Sequence, residues 1–211
     1  FSDIMRTAQF GKLGSERYEG YANDIHTSGE YLLSLVNDLL DLSKVEAGKL
    51  ELNFISVDLG QAIDSCIKLM QDEATGARVV LRKSVAPNLP QVVADMRSIK
   101  QVLLNLTSNA IKFTDPGGQV IITAKAIATG ELLLSVTDTG VGMNEDQLSK
   151  ALEPFRRVEV AGRPEVQGTG LGLPLTKALV EANRATFEIS SEARKGTRID
   201  ITFPTTRVLA S

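Results

Sequence analysis

The hydrophobic period of the chain changes once, near Lys49, and this change limits the folds that are possible. Upstream, apolar side chains recur in steps of three, four and seven, which is the signature of a helix with one buried seam. Downstream, Leu50, Leu52 and Phe54 alternate with polar residues, which predicts a strand. We therefore expect a helical unit before residue 49 and a unit of mixed structure after it.

The upstream segment divides at a polar, glycine-containing break over residues 11–14. Ser15 can cap the helix that follows, and Gly48 marks its end. A pattern of roughly thirty residues without an internal proline points to a bundle or coiled coil. The expected seam is formed by Tyr18, Tyr21, Ile25, Leu32, Leu35, Val36, Leu39, Leu40 and Leu42.

The downstream segment mixes strands and helices without strict βαβ alternation. This pattern favours an α+β fold, a two-layer α/β sandwich with helices on one face of the sheet. The expected helices cover residues 58–75, 96–114 and 172–182, and a polar, glycine-dotted stretch covers 138–172. The expected strands are 50–54, 79–81, 120–127, 131–137, 186–190 and 197–203.

Composition excludes several classes of protein. A net charge of −3 gives no basic surface for nucleic acid. The single cysteine, Cys66, cannot form a disulfide within the chain and fits a reducing compartment. No apolar run approaches the roughly 18 residues of a membrane span, and the chain starts like the middle of a helix. We expect a cytoplasmic piece of a longer protein, whose parent could carry a membrane anchor.

Asn105, Asn109 and Lys112 recur at spacings of four and three, so they share one face of the helix expected over residues 96–114. Taken alone, this cluster fits a binding face or a solvated helix surface equally well.

Two further clusters contain glycine. Asp138 ends a predicted strand and precedes Gly140 and Gly142, so its carboxylate could accept the amino group of adenine, although glycine turns also have this pattern. The run from Gly168 to Leu173 opens a helix, where backbone N–H groups can bind an anion. No strand leads into this run, as a Rossmann dehydrogenase requires, and no Gly-Lys-Ser/Thr follows, as in a P-loop.

The order of the three clusters resembles the GHKL ATPase superfamily, and within it the histidine kinases, over about residues 49–204. The stretch 105–114 is similar to the kinase asparagine motif nearly residue for residue, and 153–155 to the phenylalanine motif of the lid. The stretch 38–48 resembles the second helix of the kinase dimerisation hairpin. The absence of a Gly-Gly turn after Ala182 is similar to alphaproteobacterial cell-cycle kinases of the PleC/DivJ/PdhS type.

The resemblance implies a Bergerat-type ATP-binding fold, with ATP and Mg²⁺ as cofactors. It divides the chain into a partial dimerisation hairpin (1–48), a catalytic domain (49–206) and a tail (207–211). The implied nucleotide-binding residues are Asn105, Asn109, Lys112, Phe113, Asp138, Gly140, Gly142, Gly168, Thr169, Gly170, Leu171, Gly172 and Thr197.

Individual roles follow from the same resemblance. Asp138 would bind the adenine amino group, with Thr197 supporting the same edge of the base through water. Phe113 would line the adenine face or simply pack in the core. Asn109 would coordinate Mg²⁺, and Lys112 would meet the phosphates as a point charge.

The implied catalytic residues are Asn105, Lys112 and Arg157, with Arg157 steadying the γ-phosphate from the lid. Relatives that hydrolyse ATP, of the gyrase and Hsp90 type, carry a glutamate where this chain has Asn105. An amide cannot act as a general base. We therefore expect phosphoryl transfer to a histidine, for relay to an aspartate of a response regulator, rather than the steady turnover of a GHL-type ATPase.

His26 is the only histidine and lacks the phosphoacceptor motif of the family, so we expect it on a helix surface or in a bundle. The phosphoacceptor would precede this chain, which should bind nucleotide without phosphorylating itself. A catalytically silent nucleotide-binding scaffold stays open as an alternative. The expected partners are a response regulator receiver domain and a second copy through the full hairpin, without nucleic acid or membrane contact by this segment.

Overall fold

The computed structural model describes residues 1–156 and 168–209. The helices are α1 (Ser2–Arg6), α2 (Glu16–Glu46), α3 (Leu59–Gly76), α4 (Met96–Phe113), α5 (Glu145–Ala151) and α6 (Gly172–Ala182), followed by a 3₁₀ turn at Thr205–Arg207. The strands are β1 (Phe54–Val57), β2 (Val80–Val85), β3 (Val92–Asp95), β4 (Gln119–Ala126), β5 (Leu132–Asp138), β6 (Thr186–Glu192) and β7 (Gly196–Phe203).

Five strands form one mixed sheet in the order β2-β4-β5-β7-β6. β2 runs parallel to β4, and every other neighbouring pair is antiparallel. A separate pair, β1 and β3, is antiparallel with Val57 opposite Val92. α3, α4 and α6 pack on the large sheet, which gives the two-layer α+β sandwich that the sequence predicts.

The core lies between these two layers. Alternate residues of β4 are buried, because a strand presents successive side chains to opposite faces. Val120 and Ile122 therefore pack in the same core cluster as Leu103 and Leu106 of α4. The apolar face of α4 packs in the core, so the polar face of this helix points away from the core.

The start of α4 is fixed by Asp95, which is 6% exposed. Its Oδ1 accepts hydrogen bonds from the backbone N and Oγ of Ser98, and its Oδ2 accepts one from the Asn53 backbone N at 2.9 Å. The Asp95 backbone N donates to Oδ1 of Asn183 at 2.8 Å. This cap ties α4 to the segment before β1 and to the end of α6.

α2 begins after Ser15, whose side chain accepts a hydrogen bond from the Arg17 backbone N, as the sequence predicts. Only Ala22 and Leu42 of this helix are buried, so most of the expected seam faces solvent within this chain. We call its exposed part the apolar stripe, which consists of Tyr18, Tyr21, Ile25, Leu32, Val36, Leu39 and Leu40. No described helix is long and apolar enough to cross a membrane.

The structure departs from the predicted strands and helices at four places. The strand expected over residues 50–54 instead covers Phe54–Val57. These four residues pair with β3, and Val57 at the end of the strand is fully buried. β3 lies at residues 92–95, for which the sequence pattern predicts neither a strand nor a helix. α5 lies inside the polar stretch, where Asn144 and Gln147 form a capping box. β2 also extends four residues beyond Leu81, to Val85.

Candidate nucleotide-binding site

A cavity of about 450 Å³ opens beside the polar face of α4. α4 contributes one wall, the ends of β5 and β7 contribute another, and the glycine-rich run before α6 contributes a third. The predicted site residues that line it are Asn105, Asn109, Lys112, Phe113, Asp138, Gly142, Gly168, Thr169, Gly170, Gly172 and Thr197. Residues separated by up to 92 positions in the sequence therefore share one cavity.

Asp138 is buried at the end of β5, with 9% of its surface exposed. Its Oδ1 accepts hydrogen bonds from the backbone N of Gly140 at 2.8 Å and of Thr197 at 3.1 Å. Its Oδ2 accepts none from the residues that the structure describes. Burial raises the pKa of Asp138, although these two hydrogen bonds oppose the shift. One oxygen is thus held by the protein, while the other can accept a hydrogen bond from a ligand.

Asn109 and Lys112 face the glycine-rich run across the cavity, and Asn105 lines the same cavity. The Lys112 Nζ lies 3.4 Å from the point that a Cβ on Gly168 would occupy, and the Asn109 Nδ2 lies 3.6 Å from the equivalent point on Gly172. The Asn105 Nδ2 is buried and has no hydrogen-bond partner in the described part of the chain. A buried donor without an acceptor is costly, so this atom marks a place for water or for a ligand oxygen.

Two glycines allow the loop after β5 to lie against the turn between β6 and β7. A side chain on Gly142 would overlap the carbonyl of Glu192, and one on Gly196 would overlap the carbonyl of Asp138. Both have positive φ, 59° and 104° respectively. This close packing holds the Asp138 carboxylate next to Thr197.

Three predicted site residues do not line the described cavity. Gly140 lies behind the wall, where its N–H supports Asp138 and a side chain would overlap the Phe113 carbonyl. Leu171 is fully buried in the core. Arg157 lies outside the described residues. Its neighbour Arg156 lines the cavity and donates to Glu153 at 3.2 Å, whereas Phe155 is 57% exposed.

Helix α2 adds a wall to the cavity that no sequence pattern predicts. Tyr31, Ser34 and Asp38 line the same cavity. The Tyr31 hydroxyl donates to the carbonyl of Gly168 at 3.2 Å, and the Thr169 hydroxyl donates to Oδ2 of Asp38 at 3.4 Å. Burial raises the pKa of Asp38, partly offset by that hydrogen bond. These contacts span more than 130 positions, so no local pattern could reveal them.

His26 lies elsewhere on α2, with its Nε2 3.2 Å from Oε1 of Glu30, one helical turn away. It is partly exposed on the helix surface, as the sequence predicts. It does not line the cavity.

The comparison with known sequences covers the whole chain. It is 51% identical, over 218 residues, to the cell-division control histidine kinase PdhS of Brucella canis. The chain spans 21% of the length of that relative.

Solved structures share the fold. The crystal structure of full-length ShkA in complex with AMPPNP superposes with a TM-score of 0.81 at 31% identity, over all of this chain and 44% of that one. The histidine kinase ThkA in complex with the response regulator protein TrrA gives a TM-score of 0.68 at 21% identity, over 96% of this chain and 55% of that one. The second likeness concerns the fold alone.

Residues 94–207 match the family model for the histidine kinase-, DNA gyrase B- and HSP90-like ATPases. This range contains every predicted site residue. Among them are Asn105, whose buried Nδ2 has no hydrogen-bond partner in the described chain, and Asp138, whose carboxylate is buried. The chain therefore belongs to the family of histidine kinase-, DNA gyrase B- and HSP90-like ATPases.

Proposed function

We propose that this chain contains the ATP-binding catalytic core of a two-component sensor histidine kinase. It would transfer the γ-phosphate of ATP to a histidine of a dimerisation hairpin, for relay to an aspartate of a response regulator. The observation that carries the proposal is the amide of Asn105 in the cavity wall, at the point where ATP-hydrolysing members carry a glutamate.

The end of the cavity near Asp138 suits adenine. Val136, Ile189 and Ile199 give this part of the lining an apolar surface, and the Oδ2 of Asp138 provides a single acceptor. An exocyclic amino group would satisfy that acceptor. The carbonyl oxygen of guanine would leave it unpaired and repelled, and this difference supplies the selectivity for adenine.

The opposite end suits phosphates and Mg²⁺. The backbone N–H groups of the glycine run and the charge of Lys112 favour phosphate oxygens. No cluster of three or more His, Cys, Asp or Glu side chains that could hold a metal ion occurs among the described residues. Mg²⁺ commonly takes one or two protein oxygens and completes its shell with phosphates and waters, so the Oδ1 of Asn109 fits as its protein ligand. Bound there, the ion would neutralise charge on the phosphates.

The division of labour between residues follows from their chemistry. Asn105 can orient a water or a phosphate oxygen but cannot remove a proton from water. Bound ATP should therefore persist until a nucleophile from outside the cavity arrives. Arg157, which follows the stretch that resembles the lid motif of the kinases, would then stabilise the charge on the transferred phosphoryl group.

The remaining assignments complete the proposal. Residues 1–48 would be part of the dimerisation hairpin, 49–206 the catalytic domain and 207–211 a tail. The partners would be a receiver domain, as in the complex of ThkA with TrrA, and a second copy through the hairpin. The segment would lie in the cytoplasm, without contact with nucleic acid or membrane.

A phosphotransfer assay in trans tests the proposal. The chain is mixed with Mg²⁺, γ-labelled ATP and a separate helical hairpin, taken from a PdhS relative, that carries the phosphoacceptor histidine. We expect acid-labile label on the hairpin, lost with Asp138→Asn or when the acceptor histidine is replaced. Steady phosphate release without labelling would instead indicate a GHL-type ATPase, and ATP binding without labelling or release would indicate a scaffold.

A further inference from the structure

Ser191, on β6, joins three elements around the adenine end of the cavity. Its Oγ accepts a hydrogen bond from the Met143 backbone N at 2.8 Å. It donates to the Gly196 carbonyl at 3.1 Å or pairs with the Thr197 Oγ1 at 2.9 Å, where either hydroxyl can be the donor. Met143 and Thr197 both line the cavity, whereas Ser191 lies directly behind them, opposite Thr197 in the β6–β7 register.

The count of protons on these hydroxyls allows two arrangements that keep the hydrogen bond between Ser191 and Thr197. A serine hydroxyl has one proton and two lone pairs, and the Met143 N–H already occupies one lone pair of Ser191. If Ser191 donates to Gly196, its second lone pair accepts the Thr197 proton, and Thr197 can then only accept from a ligand. If Ser191 donates to Thr197, the Thr197 proton becomes available to the cavity.

Adenine distinguishes between these arrangements. Beside the amino group that would reach Asp138, its ring nitrogen N1 is an acceptor and requires a donor. We propose that Ser191 is a specificity-determining positioning residue: its hydroxyl donates to Thr197, so that the Thr197 proton is directed to adenine N1, directly or through one water. The inference rests on the proposed function, because it specifies how that site reads the base.

The same hydroxyl also fixes the backbone at Met143, where the loop after Asp138 leads into α5. Ser191 therefore links β6 and β7 to the loop that leads into α5, inside the polar stretch. A residue in this position should act on the base through Thr197 and should not need to touch it.

A double-mutant cycle tests the inference. Isothermal titration with Mg²⁺ and ATP is run on the full chain, Ser191→Ala, Thr197→Val and the double variant. We expect Ser191→Ala to weaken ATP binding about three- to tenfold, in line with the loss of one hydrogen bond. We expect no further loss of affinity when Ser191→Ala is made in the Thr197→Val background, because valine has no hydroxyl through which Ser191 could act on the base.

The matched control is Ser190→Ala. Ser190 is the preceding residue of the same strand and is exposed. Among the described residues its hydroxyl makes one hydrogen bond, to the Arg198 carbonyl at 3.5 Å, so its removal should leave ATP affinity unchanged. Equal losses from Ser191→Ala in both backgrounds would mean that Ser191 only supports the fold, and would overturn the inference. Unchanged affinity in Ser191→Ala would overturn it as well.

A second readout compares ATP with the analogue in which a C–H replaces N1. The native chain should prefer ATP, and Ser191→Ala should lose that preference, which a general loosening of the fold would not produce. If Ser191→Ala does not fold, Ser191→Cys, with its weaker donor, enters the same comparison and should narrow the preference; an intact preference in either variant contradicts the inference. If the native chain binds no ATP, the proposed function itself fails.

Discussion

At the scale of single residues, Asp138, the proposed adenine contact, also affects the stability of the fold. Its carboxylate is buried between apolar strand residues, and two backbone N–H groups hold only one of its oxygens. Burial raises the pKa of this carboxyl, which means that the ionised form is less favourable in the folded chain than in the unfolded one. The buried Asp138 carboxylate can therefore accept a hydrogen bond from a ligand, but it lowers the free energy of unfolding of the ligand-free domain.

Asp138→Asn should raise the melting temperature of the empty chain at neutral pH by roughly 2 °C or more. The amide oxygen can still accept from Gly140 and Thr197, while the buried charge is removed. The same change should abolish ATP binding, because the amide presents a donor to the adenine amino group. Scanning calorimetry and titration of both proteins check these two results together.

The difference in melting temperature between Asp138→Asn and the native chain should increase with pH. Below the ordinary pKa of aspartate both states are protonated, and the native chain and Asp138→Asn should have similar stability. As pH rises through the raised pKa of Asp138, the native chain should lose stability relative to the variant. A gap in melting temperature that is already complete at low pH would contradict this explanation.

Asn109→Ala tests the metal role. Removing the amide should eliminate the gain in ATP affinity that Mg²⁺ provides, while affinity in EDTA and the melting temperature stay close to those of the native chain. Asn109→Asp keeps an oxygen ligand and should preserve part of the Mg²⁺ effect. A Mg²⁺ effect of native size in the alanine variant would place the ion on other groups.

At the scale of elements, α4 depends on its cap. Burial alone would raise the pKa of Asp95, but hydrogen bonds from Ser98 and Asn53 outweigh burial and hold this pKa below its ordinary value. The ionised cap therefore stabilises the fold above the ordinary pKa of aspartate. This contribution is lost as pH falls through the lowered pKa.

Asp95→Ala should lower the free energy of unfolding by about 1–3 kcal/mol at neutral pH, with a smaller loss in acid. It removes a cap and leaves the Asn53 N–H without its acceptor. Asp58→Ala is the matched comparison, because Asp58 caps α3 through a single bond to the Gln61 backbone N and should cost about 1 kcal/mol. Chemical denaturation measures both, and an equal loss would show that the bond to Asn53 contributes little.

The contact between α2 and the glycine run places the Asp38 carboxylate at the end of the cavity proposed to bind phosphates. Asp38→Asn keeps an acceptor for Thr169 but removes the charge, so ATP should bind about two- to fivefold more tightly at low ionic strength, with a smaller gain in high salt. Asp41→Asn is the control, since Asp41 pairs with Lys44 at 4.0 Å outside the cavity lining. Equal affinity of the native chain and Asp38→Asn at low salt would exclude this repulsion.

At the scale of the whole molecule, the apolar stripe of α2 has no cover within the described chain. Leu32, Val36 and Leu40 are 61%, 52% and 52% exposed, and exposed stripes of this kind mark interaction surfaces. We expect concentration-dependent self-association in sedimentation experiments, suppressed when Val36 and Leu40 are both replaced by Glu. Leu69→Glu, at an exposed apolar position of α3, should not change it.

Much of the fold, and part of the cavity lining, could be predicted from local patterns in the sequence. The period of α4 and the position of Asn105, Asn109 and Lys112 on one face could be predicted, because helical spacing alone determines them. β3 could not, because its four residues pair with the distant β1 and, at Val92, with Val208. The wall made by Tyr31 and Asp38 depends on tertiary packing of α2 against the glycine run, which no local pattern encodes.

Helix α2 makes contacts on one face and leaves an exposed apolar stripe on another. Tyr31 and Asp38 lie two turns apart on the side that meets the glycine run, and the apolar stripe lies around the circumference from them. Each residue advances about 100° around a helix, so a roll of one position would withdraw both side chains from Gly168 and Thr169 together. A partner that binds the apolar stripe and rolls α2 would thus also reshape the wall that Tyr31 and Asp38 add to the cavity.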